Sequence, residues 1–165
     1  MADIIKLEDL LKSSDGTVTA AQVTAAGMHR CILQELVKSG SIYRYGRGLY
    51  VCSDAWEDEF YLLQLKYGRG IYSHDTALYL LGYVDRIPAN HTMTFPRGYN
   101  APSLKQEHIT IKRVVPENYA LGIAEIPSPG GNPIRVYNIE RTLCDMGTSC
   151  FVWLYFNQSK RGNTI

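Results

Sequence analysis

Arg30, Gln34 and Lys38 recur at i, i+4 and i+8, and Arg44 and Arg47 follow within ten residues of Lys38. On a helix this spacing puts the first three side chains on one stripe. Their chemistry is that of nucleic-acid recognition. An arginine forks onto a guanine edge and a glutamine onto an adenine edge, whereas Lys38, Arg44 and Arg47 suit phosphates. Arg30 and Gln34, nearer the start of the helix, are the expected base readers; phosphate contacts from either are equally open. Thr19, read as a helix cap, is expected to clamp a further phosphate with the open amides of its helix N-terminus. Tyr45, beside a glycine turn, is the expected surface contact of the adjoining hairpin, and Tyr43 is expected to pack beneath it. His29 points with the apolar side of the helix and reads as a residue of the helix start rather than a ligand.

Other chemistries find little support. The chain has neither a GxxxxGK[ST] phosphate loop nor GxGxxG, and HExxH and GxSxG are equally absent. Glu117, Glu125, Glu140 and Asp145 are scattered, and His74-Asp75 is explained more simply by first-turn electrostatics behind a Ser73 cap than by acid–base work. Cys31, Cys52, Cys144 and Cys150 show no CxxC spacing, so no metal or cofactor is expected and the thiols read as buried. The first ten residues hold Asp3, Lys6, Glu8 and Asp9, and no apolar run approaches the roughly 20 residues of a membrane span. A reduced, cytoplasmic protein without membrane contact is expected, and not an enzyme.

These residues need a scaffold, and the sequence supplies one. Ile4–Ser13 carries a stripe of Ile4, Leu7, Leu10 and Leu11, and Ser14-Asp15-Gly16 ends it. A short helix over Ala20–Ala26 stops at Gly27. A third runs from His29 to Ser39, with Ile32, Leu33, Leu36 and Val37 opposite the polar stripe. Ile42-Tyr43-Arg44 and Leu49-Tyr50-Val51 then flank Tyr45-Gly46-Arg47-Gly48 as a hairpin. This order is that of a winged helix-turn-helix over residues 1–53. The whole chain of 165 residues carries only +1, with 17 basic and 16 acidic side chains, so bulk charge holds it to no polyanion. Residues 28–51, however, set Arg30, Lys38, Arg44 and Arg47 against Glu35 alone, a net of +3, after a stretch 1–27 of net −2. The positive part is the recognition helix and the wing.

Residues 54–145 read as a small α+β domain. Trp56, Phe60, Leu63 and Tyr67 have the spacing of a buried helical stripe, and Ser73 through Leu81 reads as another helix. Strands are expected at Ile71-Tyr72, His91–Phe95, His108–Val115, Gly122–Ile126 and Ile134–Tyr137, in a mostly antiparallel sheet, before a last helix from Ile139. Residues 54–165 are electrically neutral, which points away from nucleic acid in this half.

Several stretches together resemble the AbiEi-type antitoxins of type IV toxin–antitoxin (abortive infection) systems. They include Thr19-Ala20-Ala21-Gln22, Ala26-Gly27-Met28, Leu36-Val37-Lys38-Ser39-Gly40 and Arg47-Gly48-Leu49-Tyr50. More specific are Ser73-His74-Asp75-Thr76-Ala77-Leu78-Tyr79-Leu80-Leu81-Gly82 and Glu140-Arg141-Thr142-Leu143-Cys144-Asp145. The resemblance spans about residues 5–145. It implies a transcriptional autorepressor whose winged helix binds inverted repeats of double-stranded promoter DNA as a monomer or weak dimer. It also implies a C-terminal domain that counters a nucleotidyltransferase-type toxin without a stable complex, in defence against phage.

The chain departs from the family after Asp145, where a charged helical region is expected. Met146 to Ser159 carries no charge, and residues 146–165 read as an atypical apolar tail of a truncated or frameshifted member, against the alternative of a native core strand. Two other classes of function remain: a winged-helix protein-interaction module without specific DNA binding, and a nuclease or nucleotide-modifying enzyme in the second half.

Overall fold

A computed structural model describes residues 2–100, 104 and 108–147, with the side chains of 2–4 and 13 left aside. The tail expectation falls outside the described residues, as does the side chain of Ile4. The chain divides into two compact units, 1–66 and 67–165.

The first unit runs α1 (Ala2–Ser13), β1 (Thr17–Thr19), α2 (Ala20–Ala25), α3 (Cys31–Lys38), β2 (Ile42–Gly46), β3 (Leu49–Cys52) and α4 (Glu59–Lys66). Its sheet has the antiparallel order β1-β3-β2, with Val18 opposite Tyr50 and Tyr43 opposite Val51. Strand alternation sends successive β3 residues to opposite faces. Tyr50 and Cys52 pack on the core of Leu7, Leu11, Val18, Val23, Met28, Ile32, Leu33 and Ile42 from α1, α2 and α3. Leu49 and Val51 pack on Leu62 of α4, with Tyr43, Tyr45 and Ala55 around them. The sheet is therefore covered on both faces. Segment 54–66, expected with the second domain, lies with the first.

The start of α4 corrects one expectation. Asp58 accepts a hydrogen bond from the Tyr61 amide through Oδ1 (3.2 Å), and its carbonyl accepts from Leu62 N (2.9 Å). A cap at Asp58 begins the helix at Glu59, so Trp56 lies outside it and is 73% exposed, while Phe60, Leu63 and Tyr67 are buried. Likewise Val37, expected in the core, sits exposed on the rim of α3.

The second unit runs β4 (Ile71–Tyr72), α5 (His74–Leu80), β5 (His91–Pro96), β6 (Ile109–Val114), α6 (Pro116–Tyr119), β7 (Ile123–Pro127), β8 (Pro133–Tyr137) and α7 (Ile139–Met146). All the expected strands form. The sheet order is β6-β5-β4-β8-β7, and it is mixed rather than mostly antiparallel: β5–β6 and β4–β8 are parallel, β4–β5 and β7–β8 antiparallel. Parallel neighbours need a crossover, and the long connection from Arg97 to His108 gives β6 room to return beside β5 in the same direction.

Every residue of β5 is buried. Its threonines find partners on and beside α5: Thr92 Oγ1 donates to Asp75 Oδ1 (2.7 Å) and Thr94 Oγ1 to Ser73 Oγ (2.9 Å). Ser73 thus precedes α5 without a capping bond from its own side chain, contrary to expectation, because its hydroxyl serves the sheet. Asp75 likewise ties α5 to β5 besides meeting the helix dipole.

The two most specific stretches of the resemblance meet here, since α5 and α7 pack together. The Arg141 Nε lies 3.0 Å from both carboxylate oxygens of Asp145, and its Nη1 donates to Asn118 O (2.7 Å). The guanidinium stacks 4.9 Å from the Tyr137 ring centre, and Thr142 Oγ1 donates to Tyr137 O (3.3 Å). Burial pushes the Tyr137 phenol up to about 12. These contacts give both stretches an architectural role.

His74 adopts φ +54°, the left-handed region. Its Nδ1 is buried without a hydrogen bond, and burial, aided by the Lys112 charge, holds its pKa below the ordinary histidine value. A lowered folded-state pKa contributes stability that is complete above the unfolded value of about 6.5 and is lost as pH falls through the folded one. Thermal melts by circular dichroism should therefore show the second unit weakening below about pH 6.5. His74→Asn tolerates the backbone and should remove part of that slope; an unchanged slope would contradict it. In the first unit Thr19 and Gln22 form a capping box, with Thr19 Oγ1 accepting from Gln22 N (3.2 Å) and Gln22 Oε1 from Thr19 N (2.8 Å). Thr19→Ala should cost about 1 kcal/mol in urea denaturation, and Thr19→Ser far less.

Candidate nucleic-acid interface

The turn between α2 and α3 sets the angle at which α3 is presented. Gly27 N donates to Thr24 O (3.0 Å) and Met28 N to Val23 O (3.1 Å), the paired bonds of a Schellman motif. Gly27 has φ +75°, a conformation that glycine adopts without the penalty of a Cβ. Met28, Ile32 and Leu33 anchor the following segment in the core. The opposite side of α3 is thereby left to solvent, and Arg30, Gln34 and Lys38 are all exposed on it. Arg30 sits at the position before the first helical residue, with helical φ and ψ, so the stripe begins at the helix boundary. His29 Nδ1 accepts from Cys31 N (3.4 Å), which fits a residue of the helix start, although the side chain is exposed rather than turned to the apolar side.

The hairpin presents Arg44 and Arg47, both exposed. Arg44 Nε donates to Gly46 O (3.1 Å), which curls the side chain over the turn and leaves the terminal nitrogens for other partners. Among the described residues none of Arg30, Lys38, Arg44 and Arg47 takes part in an ion pair. Four unneutralised cations thus lie at the start of α3, on α3 and on the hairpin that follows it. The hairpin is tied to the helix-turn-helix through Gly48, whose carbonyl accepts from Ala20 N (2.8 Å).

Two expected contacts take other roles. The Thr19 hydroxyl serves the capping box, and the Ala20 amide is held by Gly48. Tyr45 belongs to the packing rather than the surface. It joins Tyr43 on the α4 face of the hairpin, half-buried, with Lys66 Nζ 5.3 Å from its ring centre. Residues 43 and 45 share a face by strand alternation, so what draws Tyr43 inward draws Tyr45 too. Tyr43 packs as expected and donates to Glu57 Oε1 (2.6 Å); burial and this carboxylate push its pKa up to about 12.

Sequence reasoning missed Thr24 and Lys66. Thr24 accepts a bond from Arg30 Nε (2.9 Å), and Lys66 lies against the hairpin at Tyr45 and Gly46. Neither carries a local signal, because each acts across a turn or from a different element. The expectation of buried thiols fails for Cys31 and Cys144, both exposed on their helices, while Cys52 is half-buried and its thiol is held up by hydrogen bonding to Asp54 and by burial. Among the described residues no group of three His, Cys, Asp or Glu side chains is placed to hold a metal ion, and no helix is long and apolar enough to cross a membrane.

Part of the first unit and the overall fold are similar to known proteins. No curated protein matches the chain. Among solved structures, the fold is similar to that of the RV2827C protein from Mycobacterium tuberculosis, with a TM-score of 0.59 and 19% identity over 86% of this chain. The chain spans 58% of that protein's length, and at this identity the likeness concerns the fold. Residues 6–51 match the family described as transcriptional regulator, AbiEi antitoxin. Those residues hold α2, α3 and most of the hairpin, together with the exposed cations Arg30, Lys38, Arg44 and Arg47.

Proposed function

We propose that the N-terminal domain binds double-stranded promoter DNA and represses its own operon, with α3 in the major groove and the hairpin on the flanking backbone. The observation that carries this reading is the set of exposed cations Arg30, Lys38, Arg44 and Arg47, unneutralised among the described residues. Side chains that form no ion pair are available to displace counterions from phosphates. Arg30 and Gln34 read base edges, and Lys38, Arg44 and Arg47 hold phosphates.

The second unit is assigned the antitoxin role and counters a nucleotidyltransferase-type toxin without a stable complex. The same reading makes the protein cytoplasmic, non-enzymatic, a monomer or weak dimer on its operator, and a component of defence against phage. One observation favours the protein-interaction alternative. Trp56 is 73% exposed, and large exposed aromatics often anchor protein contacts.

The two readings separate in a binding titration on DNA from upstream of the gene. Repression predicts that log affinity falls linearly with log salt, by about 0.9 per phosphate contact. Joint replacement of Arg30, Arg44 and Arg47 by Ala should abolish the shift. Undiminished binding by that variant would contradict the assignment. Salt-insensitive behaviour, with a partner protein retained through gel filtration, would support the interaction module instead.

A further inference from the structure

Arg30 is not a freely rotating cation. Its Nε donates to Thr24 Oγ1 at 2.9 Å, and that hydroxyl in turn donates to the Ala20 carbonyl at 2.9 Å. A hydroxyl has one hydrogen, and here it is directed to the helix backbone, so the oxygen faces Nε as an acceptor. The chain of bonds runs from α2, across the Gly27 turn, to the residue that opens α3. Anchoring Nε restricts the plane of the guanidinium, which is rigid beyond that atom. Nη1 and Nη2 make no hydrogen bond or ion pair among the described residues. The edge left open is therefore the end-on pair, two parallel N–H groups, the arrangement that matches O6 and N7 of guanine. Gln34, exposed one turn further along, is placed for the neighbouring base step.

Resting on the DNA-binding reading above, we infer that Thr24 is a specificity-determining positioning residue: it aims Arg30 end-on at a guanine and denies it other poses. The bond is solvent-exposed in the free protein, where water competes with it. Removal of water on docking into the groove strengthens it at the moment of reading. Thr24 touches no base in this scheme. It lowers the number of orientations in which Arg30 satisfies a phosphate or a wrong base, so its loss harms discrimination more than affinity.

The test uses the full chain and duplexes tiling the DNA upstream of its gene, with 7-deazaguanine placed at each guanine of the tightest-binding duplex in turn. That base lacks the N7 acceptor. The wild type should lose about tenfold in affinity at one position per half-site, the scale of a good bidentate contact. Arg30→Ala should bind more weakly and be insensitive to the change there. Thr24→Val, which keeps the side-chain shape and removes both bonds, should lose most of the sensitivity while still binding. Thr24→Ser should behave as the wild type, and Thr24→Ala replaces the valine variant if circular dichroism shows the latter unfolded.

A purely structural Thr24 would lower the melting temperature of Thr24→Val and leave the 7-deazaguanine effect intact, which overturns the inference. Sequence-specific, salt-dependent binding by the wild type that Arg30→Ala does not alter also overturns it, with the DNA-binding reading left standing. Failure of the wild type to prefer any duplex overturns both.

Discussion

The first unit depends on the alternation of a single strand. Leu49 and Val51 point to one face of the three-stranded sheet and Tyr50 and Cys52 to the other, so β3 belongs to two cores at once. One core fixes α1, α2 and α3; the other fixes α4 beneath the hairpin. A one-residue slip would exchange the two sets and dissolve both. Because β3 also forms one arm of the hairpin, α3 and the hairpin are held through one shared core. The spacing between cations on α3 and cations on the hairpin is thus set before any ligand arrives, which limits the ordering cost of binding. The Gly48–Ala20 bond closes the same loop from the turn side.

Much of this is legible in the sequence, for a physical reason. Helix caps, glycine stops and strand alternation are local properties, and α2, α3, the hairpin and all five strands of the second unit emerge from them. Thr19 is readable as a cap, and its box partner Gln22 stands at the expected three-residue spacing. The misreadings share a cause as well. Trp56 matches a helical spacing, but Asp58, itself a readable cap, starts α4 beyond it. Tyr45 reads as a surface residue because the helix that covers it arrives from elsewhere in the chain. The mixed pairing of the second sheet is set by crossovers, which no local pattern records. Thr24 is invisible because its importance lies in a bond to a residue six positions away, formed only once the Gly27 turn has closed.

The second unit uses polar side chains in a different way. Ser73, Asp75, Thr92, Thr94, Arg141, Thr142 and Asp145 all find partners within it, and together they hold α5 and α7 on a sheet in which β5 is wholly buried. Buried polar networks of this kind define one arrangement at the expense of others. The most distinctive residues of this half are thus engaged in building it. Net charge does not separate the units, since 1–66 carries −2 and 67–165 carries +3; on the proposed reading it is the unneutralised cluster on α3 and the hairpin that suits the first unit to DNA.

Hydrogen–deuterium exchange with and without DNA from upstream of the gene tests this assignment most directly. The amides of Cys31–Lys38 and of the hairpin from Ile42 to Cys52 should gain protection on binding at low salt and lose it at high salt, with residues 67–147 unchanged. Protection confined to the second unit, or none anywhere in the presence of that DNA, would contradict the account.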